Sequence, residues 1–232
     1  MTVTIHDELI QGSEEWHAAR CGLLTASEVC LIMTPTLKVA ANEKARMHAY
    51  ELAAQRISKY VEPSYVGDNM LRGWEDEVKA RELYAEHIAP VTECGFITND
   101  KWGFTLGYSP DGLVGADGLL EAKSRIQKHQ VKTIVEHVAT GGLTIPDEYL
   151  LQCQTGLMVS ERDWLDFLSF SGGLPMPIIR VWPDDEVQIA IWEAAQQFDD
   201  TVRAIIEKFG AAVNSGHRLI PTERTVYEEI IT

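Results

Sequence analysis

Between residues 102 and 123 the chain alternates short apolar runs with two turn signals, a pattern of three short strands in succession. Trp102-Gly103-Phe104-Thr105-Leu106-Gly107-Tyr108 reads as a strand, and Ser109-Pro110-Asp111-Gly112 as turn chemistry. Leu113-Val114 resumes the strand, Gly115-Ala116-Asp117-Gly118 turns again, and Leu119-Leu120-Glu121-Ala122-Lys123 follows. Around this unit lie helical stretches at residues 43–59, 74–88 and 147–159, strands at 164–170 and 178–182, and a helix start at Thr25-Ala26-Ser27-Glu28, spaced as a capping box. Val187, Ile191, Ala194, Phe198, Val202, Ile205 and Phe209 mark one stripe of a long C-terminal amphipathic helix. Helices on both sides of a short mixed sheet predict an α/β (α+β) fold. No linker divides the chain, so residues 1–232 are expected to form a single domain.

The third strand carries the chemistry. Glu121 and Lys123 leave the same face, while Leu120 and Ala122 point into the core. A solvated face would explain the pair on its own. Asp111 at the preceding turn, folded back beside Glu121, instead gives two carboxylates and an ammonium within a few ångströms. Two close carboxylates repel unless a cation lies between them, and hard oxygen ligands suit Mg²⁺ or Mn²⁺. Lys123 beside such a site could orient water or stabilise charge developing on a phosphate.

Ser109-Pro110-Asp111-Gly112 followed by Glu121-Ala122-Lys123 resembles the PD-(D/E)XK nuclease signature, in the variant of the phage lambda exonuclease family, the YqaJ-type viral recombinases. Three further blocks carry the resemblance: residues 12–28, from Gly12-Ser13-Glu14-Glu15-Trp16 to Thr25-Ala26-Ser27-Glu28; Gly73-Trp74-Glu75-Asp76-Glu77-Val78-Lys79-Ala80-Arg81; and Tyr149-Leu150-Leu151-Gln152-Cys153-Gln154. The resemblance implies a restriction-endonuclease-like core. It also implies a two-metal 5′-to-3′ exonuclease on linear double-stranded DNA with Asp111, Glu121 and the Ala122 carbonyl as metal ligands. Glu77 falls on the inward stripe of its helix with Trp74, Ala80, Arg81, Tyr84 and Ile88. A carboxylate there needs a partner: either Arg81 at i+4, or, as the resemblance implies, a metal. Gln152 is either a core glutamine satisfied by backbone or, by resemblance, a residue that positions water, a metal ligand or the scissile phosphate. Arg20 and Ser27 are either an ordinary capped helix start or, by resemblance, the holders of a 5′-terminal phosphate. Ser109 either begins a turn or donates to a nucleotide phosphate. Lambda-type enzymes often carry Cys-Pro after the lysine; here Ser124-Arg125 stands there. The family further implies a ring-shaped homotrimer that hands a 3′-ended strand to a single-strand annealing protein in phage-type recombination.

Two other classes fit parts of the pattern: a different PD-(D/E)XK nuclease, Cas4-like or endonucleolytic, and a non-catalytic acidic DNA-associated protein. Cas4-like enzymes carry a cysteine cluster, whereas Cys21, Cys30, Cys94 and Cys153 are scattered. That scatter also argues against a disulfide scaffold or zinc ribbon and suits a reducing cytoplasm. The opening MTVTIHDELI lacks a signal-peptide layout, and Gly and Pro interrupt the longest uncharged stretch, 167–179, so no membrane segment is expected. The formal charge of −15 counts against bulk attraction to nucleic acid. Local stretches run the other way. Lys38, Lys44, Arg46, Arg56 and Lys59, and Lys123, Arg125, Lys128 and Lys132, are expected to face DNA. The acidic region 184–200 should face away from it.

Overall fold

The structure, a computed structural model, describes residues 2–63, 67–139, 141 and 144–224. In chain order its elements are β1 (Val3–His6), α1 (Glu14–Arg20), β2 (Leu24–Thr25), α2 (Val29–Ile32), α3 (Glu43–Ser58) and α4 (Asp68–His87). Then come β3 (Val91–Thr92), β4 (Phe96–Asn99), β5 (Leu106–Tyr108), β6 (Gly112–Val114), β7 (Gly118–Ser124) and α5 (Gln127–Thr133). The last are α6 (Asp147–Ser160), β8 (Trp164–Phe170), β9 (Ile178–Val181) and α7 (Asp185–Val213). The strands form a four-stranded sheet, β1-β4-β5-β2, and a five-stranded one, β3-β6-β7-β8-β9. This is the expected mixed α/β class.

β7 is the centre of the molecule. It runs antiparallel to β6, with Gly112 opposite Leu120, and parallel to β8, with Glu121 opposite Phe167. The β6–β7 turn depends on Gly115, whose φ of 58° is left-handed. Both faces of β7 are covered, as its near-continuous apolar run requires. Leu120, Ala122 and Leu168 pack on Ala80 and Tyr84 of α4. Leu119 and Phe167 belong to a larger core with Leu157 of α6, Leu52 of α3, and Ile191, Phe198 and Val202 of α7.

The helix ends follow local chemistry. Asn42 accepts from the Ala45 N–H at the start of α3, and Asp184 accepts from the Glu186 and Val187 N–H groups at the start of α7. Among the described residues no helix is long and apolar enough to cross a membrane.

Several expectations need correction. The strand expected over 102–108 shrinks to β5, because Gly103 adopts a φ of 82° and breaks it. The capping box is present, with Glu28 accepting from the Thr25 N–H and hydroxyl, but it opens a 3₁₀ turn and then only the single turn of α2. Of the stripe expected on α4, Ala80 and Tyr84 are buried and Glu77 and Arg81 half-buried, while Trp74 and Ile88 are 48% and 55% exposed. Phe209, the last of the α7 stripe, is also exposed. Strands β1 to β4 and helices α1 and α5 were not foreseen.

Candidate active site

The face of β7 that carries Glu121 is not solvated: Glu121 is 1% exposed. A carboxylate so buried needs donors, and three supply them. The Tyr108 hydroxyl donates to Oε2 at 2.7 Å, the Lys123 ammonium lies 2.7 Å from Oε1, and the Gln152 amide donates to the same Oε1. The Gln152 amide thus bonds the Glu121 carboxylate, not backbone groups. Burial tends to lower the Lys123 pKa, but the Glu121, Asp111 and Glu77 carboxylates outweigh it and raise it above the ordinary lysine range. Tyr108 stays protonated, held up first by burial and then by Glu121.

Asp111 ends the β6–β7 ladder. Its N–H donates to the Leu120 carbonyl at 3.1 Å, and its Oδ2 accepts from the Ala122 N–H at 2.6 Å. Because a strand residue directs its N–H and C=O to the same edge, the Ala122 carbonyl opens beside Asp111, beyond the end of β6. Burial, then the charge of Glu121, pushes the Asp111 carboxyl well above the ordinary aspartate range.

Glu77 reaches this neighbourhood from α4. Burial raises its pKa, Lys123 opposes the rise, and Glu121 and Asp76 reinforce it. The Arg81 guanidinium donates elsewhere, to the Asp111 carbonyl at 3.1 Å and to Glu93 at 2.8 Å. Asp111, Glu121 and Glu77 thus share a partly buried space with the Lys123 ammonium.

Among the described residues no group of three or more His, Cys, Asp and Glu side chains is assembled as a ready metal cage. Mg²⁺ does not require one, since it binds through one or two carboxylates and keeps several waters. Asp111 and Glu121 with the Ala122 carbonyl offer that kind of hard-oxygen set, and a bound cation would offset both the burial and the Glu121 charge that disfavour ionised Asp111. The residues fit the expected cation.

A second cluster adjoins the first through Ser109. Parallel pairing of β2 with β5, Thr25 opposite Gly107, brings the residue 20–28 segment alongside. The Arg20 guanidinium stacks over Trp16, 4.2 Å from its ring centroid, donating Nη1 to Ser109 Oγ at 3.3 Å and Nη2 to Thr25 Oγ1 at 3.2 Å. Ser27 Oγ lies 3.3 Å from Thr25 Oγ1 and is exposed. Trp16 Nε1 also donates to Ser109, at 3.0 Å. Arg20, Ser27 and Ser109 are brought together two residues ahead of Asp111. The short 3₁₀ turn supplies little dipole, so any anion site here rests on the side chains.

Residues 15–163 match the YqaJ-like viral recombinase domain. The chain belongs to this family. The fold is similar to that of an alkaline exonuclease, LHK-Exo, from Laribacter hongkongensis. The TM-score is 0.74 at 31% identity, covering 88% of this chain and 99% of that one. LHK-Exo in complex with dAMP gives 0.73 at 33% identity over the same shares. A phage-related exonuclease from Haemophilus somnus 129PT, 14% identical over 81% of this chain and 96% of the other, shares the fold at a TM-score of 0.54. No match was found among curated proteins.

Within this YqaJ-like site several contributors escaped the sequence reading. Tyr108 was only the end of a strand. Its cue was Gly156 on α6, where a Cβ would come within 2.7 Å of the Tyr108 ring. Trp16 carried no cue beyond its place in the first block. Of the basic residues expected to face DNA, Arg125 is turned inward to Glu148 and Tyr149. Arg56 is likewise occupied, bonding the Gly22 carbonyl and Asp199.

Proposed function

We propose that the chain is a Mg²⁺-dependent exonuclease that degrades one strand of linear double-stranded DNA from its 5′ end. Its products would be 5′-mononucleotides and a 3′ single-stranded overhang. The observation that carries this reading is the step at Ser109: it anchors the arginine–hydroxyl cluster two residues ahead of Asp111 in the carboxylate–lysine cluster, so one strand end would reach both. Membership of a recombinase family and likeness to exonucleases, one of them a complex with dAMP, support it.

Two Mg²⁺ ions per site, or Mn²⁺ in their place, would be held by Asp111, Glu121 and the Ala122 carbonyl, with Glu77 contributing from α4. The metal supplies Lewis acidity, acidifying water and offsetting phosphate charge. Tyr108 and Gln152 fix the Glu121 carboxylate in one orientation. Lys123, kept protonated, presents positive charge to the phosphate as negative charge develops. Ser109 Oγ accepts from both Trp16 and Arg20, which leaves its own O–H to donate to a phosphate oxygen. Arg20, with its planar fork, and Ser27 hold the 5′-terminal phosphate. The enzyme would work as a cytoplasmic homotrimer, passing the overhang to a single-strand annealing protein.

The test is incubation of 5′-phosphorylated linear duplex and of covalently closed circles with Mg²⁺ after exhaustive chelation. The 5′-ended strand should shorten to mononucleotides while circles stay intact. Cleavage of closed circles, or full activity in chelator, would overturn the reading.

A further inference from the structure

The two residues after Lys123 take no part in the chemistry above, and they stand where lambda-type enzymes often have Cys-Pro. They sit at the end of β7, where alternation sends neighbouring side chains to opposite faces. Ser124 follows Leu120 and Ala122 toward α4, and its hydroxyl donates to Asp76 Oδ2 at 2.5 Å. Asp76 immediately precedes Glu77, and Arg72 Nε lies 3.8 Å from the same oxygen. Arg125 follows Glu121 and Lys123 toward α6. Its Nη1 donates to Glu148 Oε1 at 2.8 Å and to the Tyr149 hydroxyl, with its guanidinium carbon 5.0 Å from the Tyr149 ring centroid.

Tyr149 lies one helical turn before Gln152, and the Lys123 ammonium is 5.9 Å from the same ring. The Arg125 backbone is itself fixed, its N–H donating to the Phe170 carbonyl at 2.7 Å, and its side chain is 6% exposed. Successive residues at the end of β7, its last residue Ser124 and Arg125 just beyond it, therefore grip the two helices that deliver Glu77 and Gln152. We infer that Ser124 and Arg125 are positioning residues, a two-sided clamp that sets α4 and α6 around Asp111, Glu121 and Lys123. The inference rests on the exonuclease reading of that site. It has a physical rationale, because groups at a reacting centre must be held to about half an ångström by the contacts behind them.

Arg125→Met keeps the aliphatic stem and removes both donors. On linear duplex with Mg²⁺ it should lower kcat roughly 10–100-fold and leave KM within about twofold, as loss of a residue behind a site does. Arg125→Lys, a point charge without the fork, should recover only part. In a Gln152→Ala background Arg125→Met should add less than about threefold, because the two act through the same helix. Losses that multiply would overturn the inference, as would a KM rise at constant kcat, which would make Arg125 a DNA contact.

Hydrogen exchange reads the clamp without any activity. Arg125→Met should speed exchange of α6 amides after Tyr149 by on the order of tenfold and leave α4 unchanged, and Ser124→Ala should do the reverse near Asp76. An inactive wild type would sink the exonuclease reading alone, whereas unchanged exchange in both variants would sink the clamp. Should Arg125→Met not fold, Tyr149→Phe removes one clamp bond and carries the same comparison.

Discussion

Arg20→Ala tests whether the cluster beside the carboxylates recognises a strand end. In the folded protein the guanidinium is already oriented, stacked on Trp16 and donating to Ser109 and Thr25, so it pays little rotamer entropy when an anion arrives. A hydrogen bond to a charged group contributes ~1.5–3 kcal/mol. At 1.36 kcal/mol per tenfold, removing it should cost roughly 10–150-fold in kcat/KM on 5′-phosphorylated ends. On 5′-hydroxyl ends, where there is no terminal anion, the loss should be small. Ser27→Ala removes a neutral donor and should cost about 2–10-fold on phosphorylated ends only. Each cut exposes a new 5′-phosphate, so Arg20→Ala should also stall more often, visible as intermediate lengths in a time course. The measurement is single-turnover digestion of both end types by wild type and variant, with thermal unfolding to establish that the variant is folded. An equal loss on both ends would refute the phosphate pocket and leave Arg20 a structural or general DNA-binding residue.

Three further outcomes are expected. Because burial and Glu121 disfavour a charged Asp111, Asp111→Asn, which keeps an acceptor for the Ala122 N–H, should abolish hydrolysis. It should also raise Tm in chelator and lose the stabilisation that Mg²⁺ or Mn²⁺ gives wild type. The sign follows from the raised pKa: ionising Asp111 destabilises the metal-free fold as pH rises above the ordinary carboxylate range, so an unchanged Tm across that window would contradict it. Gly156→Ala places a methyl 2.7 Å from the Tyr108 ring, forcing its hydroxyl off Glu121; a cost of roughly 1–3 kcal/mol in urea unfolding and reduced kcat are expected. Arg56→Ala leaves buried Asp199 with Arg203 as its remaining ion-pair partner. It should destabilise by roughly 1.5–3 kcal/mol, largely recovered by a further Asp199→Asn, while activity per folded molecule is unchanged.

Where an element is bounded by strong punctuation and packed on both sides, its sequence is legible. Residues 164–170 were expected as a strand and form β8, and Asp147–Ser160 closely matches the helix expected at 147–159. The four-stranded sheet was not legible, because β1, β2, β4 and β5 are two to four residues long and too short to establish a period of two. Around Glu77 the helical wheel held for Ala80, Arg81 and Tyr84 and missed at Trp74 and Ile88 for a different reason. It assigns large apolar residues inward, yet α4 meets β7 through Asp76, Ala80 and Tyr84, which leaves room for a carboxylate. Asp111, Glu121, Lys123 and Gln152 could be named from their motif. Tyr108, Ser124 and Arg125 could not, because their importance lies in what they touch across the fold.

The inward turn of Arg56 and Arg125 changes how the charge of −15 must be reconciled with a DNA substrate. Arg46 is paired with Glu43 and Lys132 with Glu136, while Lys38, Lys44, Lys59 and Lys128 stay exposed in those stretches. Duplex affinity from counterion release grows with the number of phosphates neutralised, and the inward turn of Arg56 and Arg125 lowers that number. In the proposed reading, recognition gains most where the cations are pre-oriented, at Arg20 and Lys123. An enzyme of this kind gains little from the middle of a duplex and much from its end. The proposed ring would retain the substrate by topology instead of attraction, and light scattering that shows a stable monomer together with processive digestion would contradict it.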